Sequence, residues 1–196
     1  MEILTERTFR GERPKAGATV GIRLTLALVL ALVFQLPAWG QADEYHVKAA
    51  FLFNFAKFVE WPAPTFKTPA SQIVICVMGQ NPFGNALEET TSGKVVGGRT
   101  FSIRQISATQ PACDCQILFV NSAERKQFRS VAGTLKGAGV LSVGEGEGFT
   151  ADGGIISFKV ERGSVRLEIN IAAAEYADIH ISAKLLSLAQ VVRKTL

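Results

Sequence analysis

Histidine is scarce in this chain: His46 and His180 are the only two among 196 residues. They fall on different expected elements, and no cysteine or carboxylate spacing joins them into a ligand set, so a metal centre has no basis here. No Gly-x-Ser-x-Gly elbow and no Cys–His pairing is present, which removes the familiar acyl-transfer nucleophiles. Glu168 and Asp152 are carboxylates that could be offered for acid–base work, but nothing along the chain brings them together. Gly144-x-Gly146-x-Gly148 lacks the Lys-Ser/Thr of a phosphate loop, carries Glu145 and Glu147, and precedes a strand rather than a helix. Negative side chains repel phosphate, so this stretch reads as a mobile loop. Gly79 to Gly84 follows a strand and opens a helix, a context for an anion, but has no lysine. The reading is of a non-enzyme with no cofactor and no metal.

Long apolar runs are also missing. The longest, Leu24 to Leu36, has 13 residues broken only by Thr25 and Gln35, and a spanning helix needs about 20. Arg7, Arg10, Arg13, Lys15 and Arg23 precede it and Pro37 follows. Residues 1–42 therefore read as a signal peptide cleaved after Gly40 or Ala42. The remaining 43–196 has the size of one domain and contains no transmembrane segment. Five of the 21 basic residues and three of the 17 acidic ones leave with the leader, so 16 face 14 and the net charge drops to about +2. With no Lys/Arg-rich run left, nucleic acid has no electrostatic footprint to bind.

What is present is an alternation. Residues 45–60 read as a helix stopped by Trp61-Pro62. QIVICVMG (72–79), CQILFVN (115–121) and GVLSVG (139–144) are apolar, β-branched runs typical of buried strands. Arg99 to Ile106 alternates as a half-buried strand does. Helices are expected from Asn81 to about Thr90 and from Asn121 or Ser122 to about Gly133. GIISFKVE (154–161) and SVRLEIN (164–170), separated by Arg162-Gly163, form a hairpin. Ser182 caps a last helix with apolar residues three and four apart. Strands alternating with helices give an α/β single domain: a mixed, mostly parallel sheet flanked by helices, with a C-terminal antiparallel hairpin.

Two features are left over. In the helix 45–60, Val47, Phe51, Leu52, Phe55, Phe58 and Val59 share one arc, which is core. His46, Lys57 and Glu60 lie opposite, and Phe53 falls among them. A helix with only a core to build has no reason to put Phe53 there. Either the C-terminal helix covers it, or it is an anchor for a partner, with Lys57 beside it. Three cysteines remain in the mature chain: Cys76 within a strand, and Cys113 and Cys115 two apart before another. An oxidising compartment allows one bridge and leaves one thiol. Cys76 can pair with Cys115 or with Cys113, or stay reduced; Cys113 and Cys115 point the same way and do not suit each other.

AAFLFNFAKFVEWP, GQNPFG, C-x-ILFV, GVLSVG, GGIISFKVE, RLEIN and ISAKLLSLA occur here in the order seen in the YfiR family, which this chain resembles over 44–196. The resemblance implies a periplasmic repressor. Such proteins bind the periplasmic sensor segment of an inner-membrane GGDEF diguanylate cyclase, keep cyclic di-GMP low and restrain biofilm formation. Redox or envelope stress releases the cyclase. Self-association, here as a homodimer, is implied too. Cys76 and Cys115 match the family's strand cysteines, which implies that bridge and leaves Cys113 as an extra thiol. A second family disulfide, in the loop after GVLSVG, has no counterpart between Glu145 and Asp152. The partner surface is expected at Phe53 and Lys57, at the hairpin end Glu168 and Asn170, or at both. The alternative is a periplasmic sensory domain that takes a small ligand near Gly79 to Gly84 or at 144–154.

Overall fold

Each apolar run is followed by a connection too long for a tight turn, so successive strands pair in parallel through crossovers. The computed structural model describes residues 39–194 apart from 108, 109 and 111, and the side chains of residues 39–43 and 113 are not described. The expected leader through residue 38 lies outside the described residues. The strands are β1 (Val59–Glu60), β2 (Ile73–Met78), β3 (Phe101–Ile106), β4 (Ile117–Val120), β5 (Leu141–Glu145), β6 (Ile156–Glu161), β7 (Ser164–Asn170), β8 (His180–Ile181) and β9 (Gln190–Val192). The α-helices are α1 (Trp39–Phe58), α2 (Ala86–Thr91), α3 (Arg125–Val131), α4 (Ile171–Tyr176) and α5 (Ala183–Leu186).

One seven-stranded sheet runs β3-β2-β4-β5-β6-β7-β9, and β1 pairs with β8 in a separate antiparallel ribbon. Within the large sheet only β6 and β7 pair antiparallel. The first five strands follow the doubly wound order 2-1-3-4-5. Right-handed crossovers that reverse direction at β2 must put their connections on opposite faces. Accordingly, Ala86 and Leu87 of α2 pack on one face with Leu52 and Phe55 of α1. Phe128 of α3, Cys76, Cys115 and Phe149 build the other face. The fold is the expected single α/β domain with a mostly parallel sheet and a terminal hairpin.

The hairpin turn is formed by Arg162 and Gly163, both with positive φ (50° and 75°), the pair of left-handed residues that a right-twisted two-residue turn requires. Several local expectations differ. The helix expected over 45–60 ends at Phe58, and Val59–Glu60 is strand β1; the helix expected from Asn81 begins at Ala86. The last helix ends at Leu186, and Gln190–Val192 instead adds a parallel edge to β7. Leu185 is buried but Leu188 is 66% exposed, so the three-four spacing stops being amphipathic after one turn. In α1 the buried stripe is Lys48, Ala49, Leu52, Phe55 and Ala56, continuing at Val59, while Val47 is 41% exposed. The core arc is thus turned by about one residue from a hydrophobicity reading. A lysine enters because carboxylates wait for it inside.

Candidate functional site

The N-terminal half of α1 approaches the carboxyl end of β5. The Lys48 ammonium, 2% exposed as a residue, lies 2.5 Å from Glu44 Oε1 one turn back and 2.5 Å from Glu145 Oε2. The Tyr45 hydroxyl also donates to Glu145, and its ring lies under the Lys48 ammonium. Burial and the negative charge of Glu145 both push the Tyr45 hydroxyl well above the ordinary phenol range, so Tyr45 stays a donor. A cleft of about 390 Å³ opens here, bordered by Tyr45, Lys48, Ser122, Glu145, Phe158 and Val160. It lies at the carboxyl ends of parallel strands, where open α/β sheets usually take ligands.

At the far end of α1 sits a second cluster. Phe53 is half-buried, and its ring centroid is 5.4 Å from that of Phe101 on β3. The ammonium groups of Lys57 and Lys94 lie 4.3 and 4.7 Å from the Phe53 ring centre. Lys57 also donates to Asn54. So Phe53 rests against the first residue of β3, not against the C-terminal helix, and carries two cations on its ring. Such cation–π contacts attract a cation to the ring face and hold the side chains together. Phe101 and Lys94 belong to this cluster although sequence spacing gave no sign of them; alternation on a strand marks Phe101 only as inward-facing.

Glu168 and Asn170 occupy a different place. Both are buried, at 4% and 0% exposure. Glu168 accepts from Thr150, from Lys159 at 2.5 Å and from Lys194 at 3.1 Å. Burial alone would raise its carboxyl pKa, but the hydrogen bonds from Lys159, Thr150 and Lys194 outweigh that and hold it down at about 2. Asn170 donates to the Thr150 and Lys194 carbonyls and caps α4 through the Ala172 and Ala173 amides. Their polar atoms are spent inside the chain, joining hairpin, loop and C-terminal segment. Neither reaches the surface as half-buried Phe53 and exposed Lys57 do. Sequence alternation placed them on the face away from Leu167 and Ile169 and so suggested solvent; that face is covered by the loop carrying Thr150 and by Lys194.

The loop after β5 is pinned, not free. Phe149 is 1% exposed and packs on Phe128 with centroids 4.7 Å apart. Arg125 and Arg129 of α3 both bind the Asp152 carboxylate. Burial opposes that charge, but the two guanidinium hydrogen bonds prevail and lower the carboxyl below its ordinary range. Asp152 and Glu168 are thus each engaged with their own cations. Cys76 and Cys115 form a disulfide with Cα atoms 5.8 Å apart, both fully buried. Cys113 sits in a short 3-10 turn before β4. Among the described residues no group of three or more His, Cys, Asp or Glu could hold a metal ion, and no helix is long and apolar enough to cross a membrane.

The architecture is therefore an α/β domain in which Lys48, Glu145, Asp152 and Glu168 are paired as structural ties, with an aromatic and cationic corner at Phe53 and Phe101. Residues 45–190 match the YfiR/HmsC-like family. The match runs from within α1 to the first residue of β9, and the chain belongs to this family, whose members are periplasmic regulators of diguanylate cyclases, regulatory rather than catalytic. No curated protein matches the chain.

Proposed function

We propose that this protein is a periplasmic negative regulator. It binds the periplasmic segment of an inner-membrane GGDEF diguanylate cyclase, keeps cyclic di-GMP synthesis low and so restrains biofilm formation. The observation that carries the reading is the family match over residues 45–190. The corner formed by Phe53, Lys57, Lys94 and Phe101 supports it as the contact surface, since aromatic side chains are enriched at interfaces. Release of the cyclase under redox or envelope stress, and association as a homodimer, belong to the same reading. Exposed Leu188 just before the short strand β9 and Val191 within it offer apolar surface for a second copy.

The test is capture from gently solubilised membranes with the full-length chain, tagged at its C-terminus and exported. Mass spectrometry should identify a membrane protein with a GGDEF domain. Phe53→Glu should abolish capture while circular dichroism and the melting transition remain those of a folded domain. A folded, exported protein that recovers no such cyclase overturns the reading.

The cleft at Lys48 favours a second reading, a small-ligand sensory domain. A ligand of the native state must raise the melting temperature, so a screen of small molecules that leaves it flat removes this alternative.

A further inference from the structure

The seven-stranded sheet has two edges, and they are unequal. β9 offers three residues, whereas β3 offers six and pairs with β2 alone. The Ile73 amide donates to the Thr100 carbonyl and the Gly79 amide to the Ile106 carbonyl. Together with the parallel register Ile73↔Phe101 to Met78↔Ile106, this turns the even positions of β3 toward β2. Backbone N–H and C=O groups alternate sides along a strand, so those of Phe101, Ile103 and Gln105 face outward. Among the described residues, the one hydrogen bond on them is a 3.4 Å approach of the Gln72 side-chain amide to the Phe101 carbonyl.

Hollows lie on both faces of this edge. One, about 360 Å³, is bordered by Glu88, Thr91, Lys94, Phe101 and Ile103. The other, about 600 Å³, is bordered by Lys67, Val74, Ser102, Arg104, Asp114 and Gln116. An added strand places alternate side chains on opposite faces, and each set would find one of these hollows. The flanking charge is mainly positive. Lys57 and Lys94 stand on one face and Arg104 on the other, and none of the three has a carboxylate within ion-pair distance among the described residues. Glu88 is the opposing acid; Lys67 is spent on Asp114.

We infer that the β3 edge is a β-augmentation site for an extended, acidic polypeptide segment of a partner. A second copy of this chain fits poorly. Two β3 strands paired about a twofold axis would set the same cations beside each other, and like charges across strands are destabilising. The inference rests on the partner-binding reading above and specifies its mode: the segment adds a strand beside Phe53 and Phe101.

The experiment uses the exported full-length chain, isotope-labelled, and two acetylated and amidated eight-residue probes, one alternating Thr and Glu and one alternating Thr and Lys. The acidic probe should shift the backbone amide signals of Ile103 and Gln105 and bind at least about tenfold more tightly than the basic one. Ile103→Pro removes an outward donor without touching the bonds to β2. It should weaken the acidic probe, and so should the Lys94→Glu/Arg104→Glu pair, which leaves the backbone alone and guards against misfolding of the proline variant. Equal binding of both probes, no shift at these amides at millimolar acidic probe, or unchanged affinity in the charge-reversed pair overturns the inference. Capture experiments separate the two claims. A cyclase recovered equally by wild type and edge variants sinks the edge and keeps the partner. Failure of the wild type to recover one sinks the partner reading, and the probes still judge the edge.

Discussion

At the scale of single residues, the dominant theme is the buried charge. Lys48 is held between Glu44 and Glu145, and desolvation makes such groups valuable only while all partners remain. Lys48→Met should destabilise the domain by about 3–5 kcal/mol, because it strands the Glu145 carboxylate. Adding Glu145→Gln should recover much of that loss, since the charge goes and the Tyr45 hydroxyl keeps an acceptor. Urea unfolding of the three proteins checks the order. Glu168 gives a pH-dependent counterpart. Its folded-state pKa of about 2 lies below the ordinary 4.5. Its contribution is therefore fully present above about pH 4.5 and is lost as the pH falls toward 2. Over that window stability should drop by on the order of 1 kcal/mol per pH unit at most from this group. Glu168→Gln should flatten that part of the acid-unfolding profile, which a series of melts between pH 5 and 2 would read.

At the scale of elements, the loop between β5 and β6 is the instructive case. Its glycines suggested mobility, yet two of them serve packing. A Cβ on Gly144 or on Gly154 would collide with the Phe149 ring, and neither glycine has a positive φ. They are glycines because a ring lies on their backbone. Gly154→Ala should therefore cost about 1–3 kcal/mol by overpacking, and Gly154→Ala combined with Phe149→Leu should cost less than the two changes summed, by thermal denaturation. Strands β2, β4, β5 and β6 were legible from their apolar runs, β3 and β7 from alternation, the hairpin from Arg162-Gly163, and the cap before α3 from Asn121, whose side chain accepts from the Ala123 and Glu124 amides; the two-residue strands β1 and β8 were not. β9 was not legible, because Gln190–Val192 continues a helical spacing and only pairing with β7 makes it a strand. The site was half legible. Phe53 stood out on the charged side of its helix, but its neighbours Phe101 and Lys94 come from distant segments. Glu168 and Asn170 looked outward by alternation and were buried by a loop that local pattern does not place.

At the scale of the whole molecule, the bond between Cys76 and Cys115 spans 39 residues of sequence. α2 and β3 lie between those two cysteines. The long free edge and the Lys94 cation thus sit inside a covalent ring, while β5, β6 and β7 lie outside it. Closing such a ring removes about 3–4 kcal/mol of chain entropy from the opened state. Cutting it acts first on sub-global opening of the enclosed segment. Amide hydrogen exchange should therefore quicken along 101–106 in Cys76→Ser/Cys115→Ser, with little change along 156–161. The thiol–disulfide balance of the surroundings would then set how often the edge strand detaches, without any group on the surface having been altered.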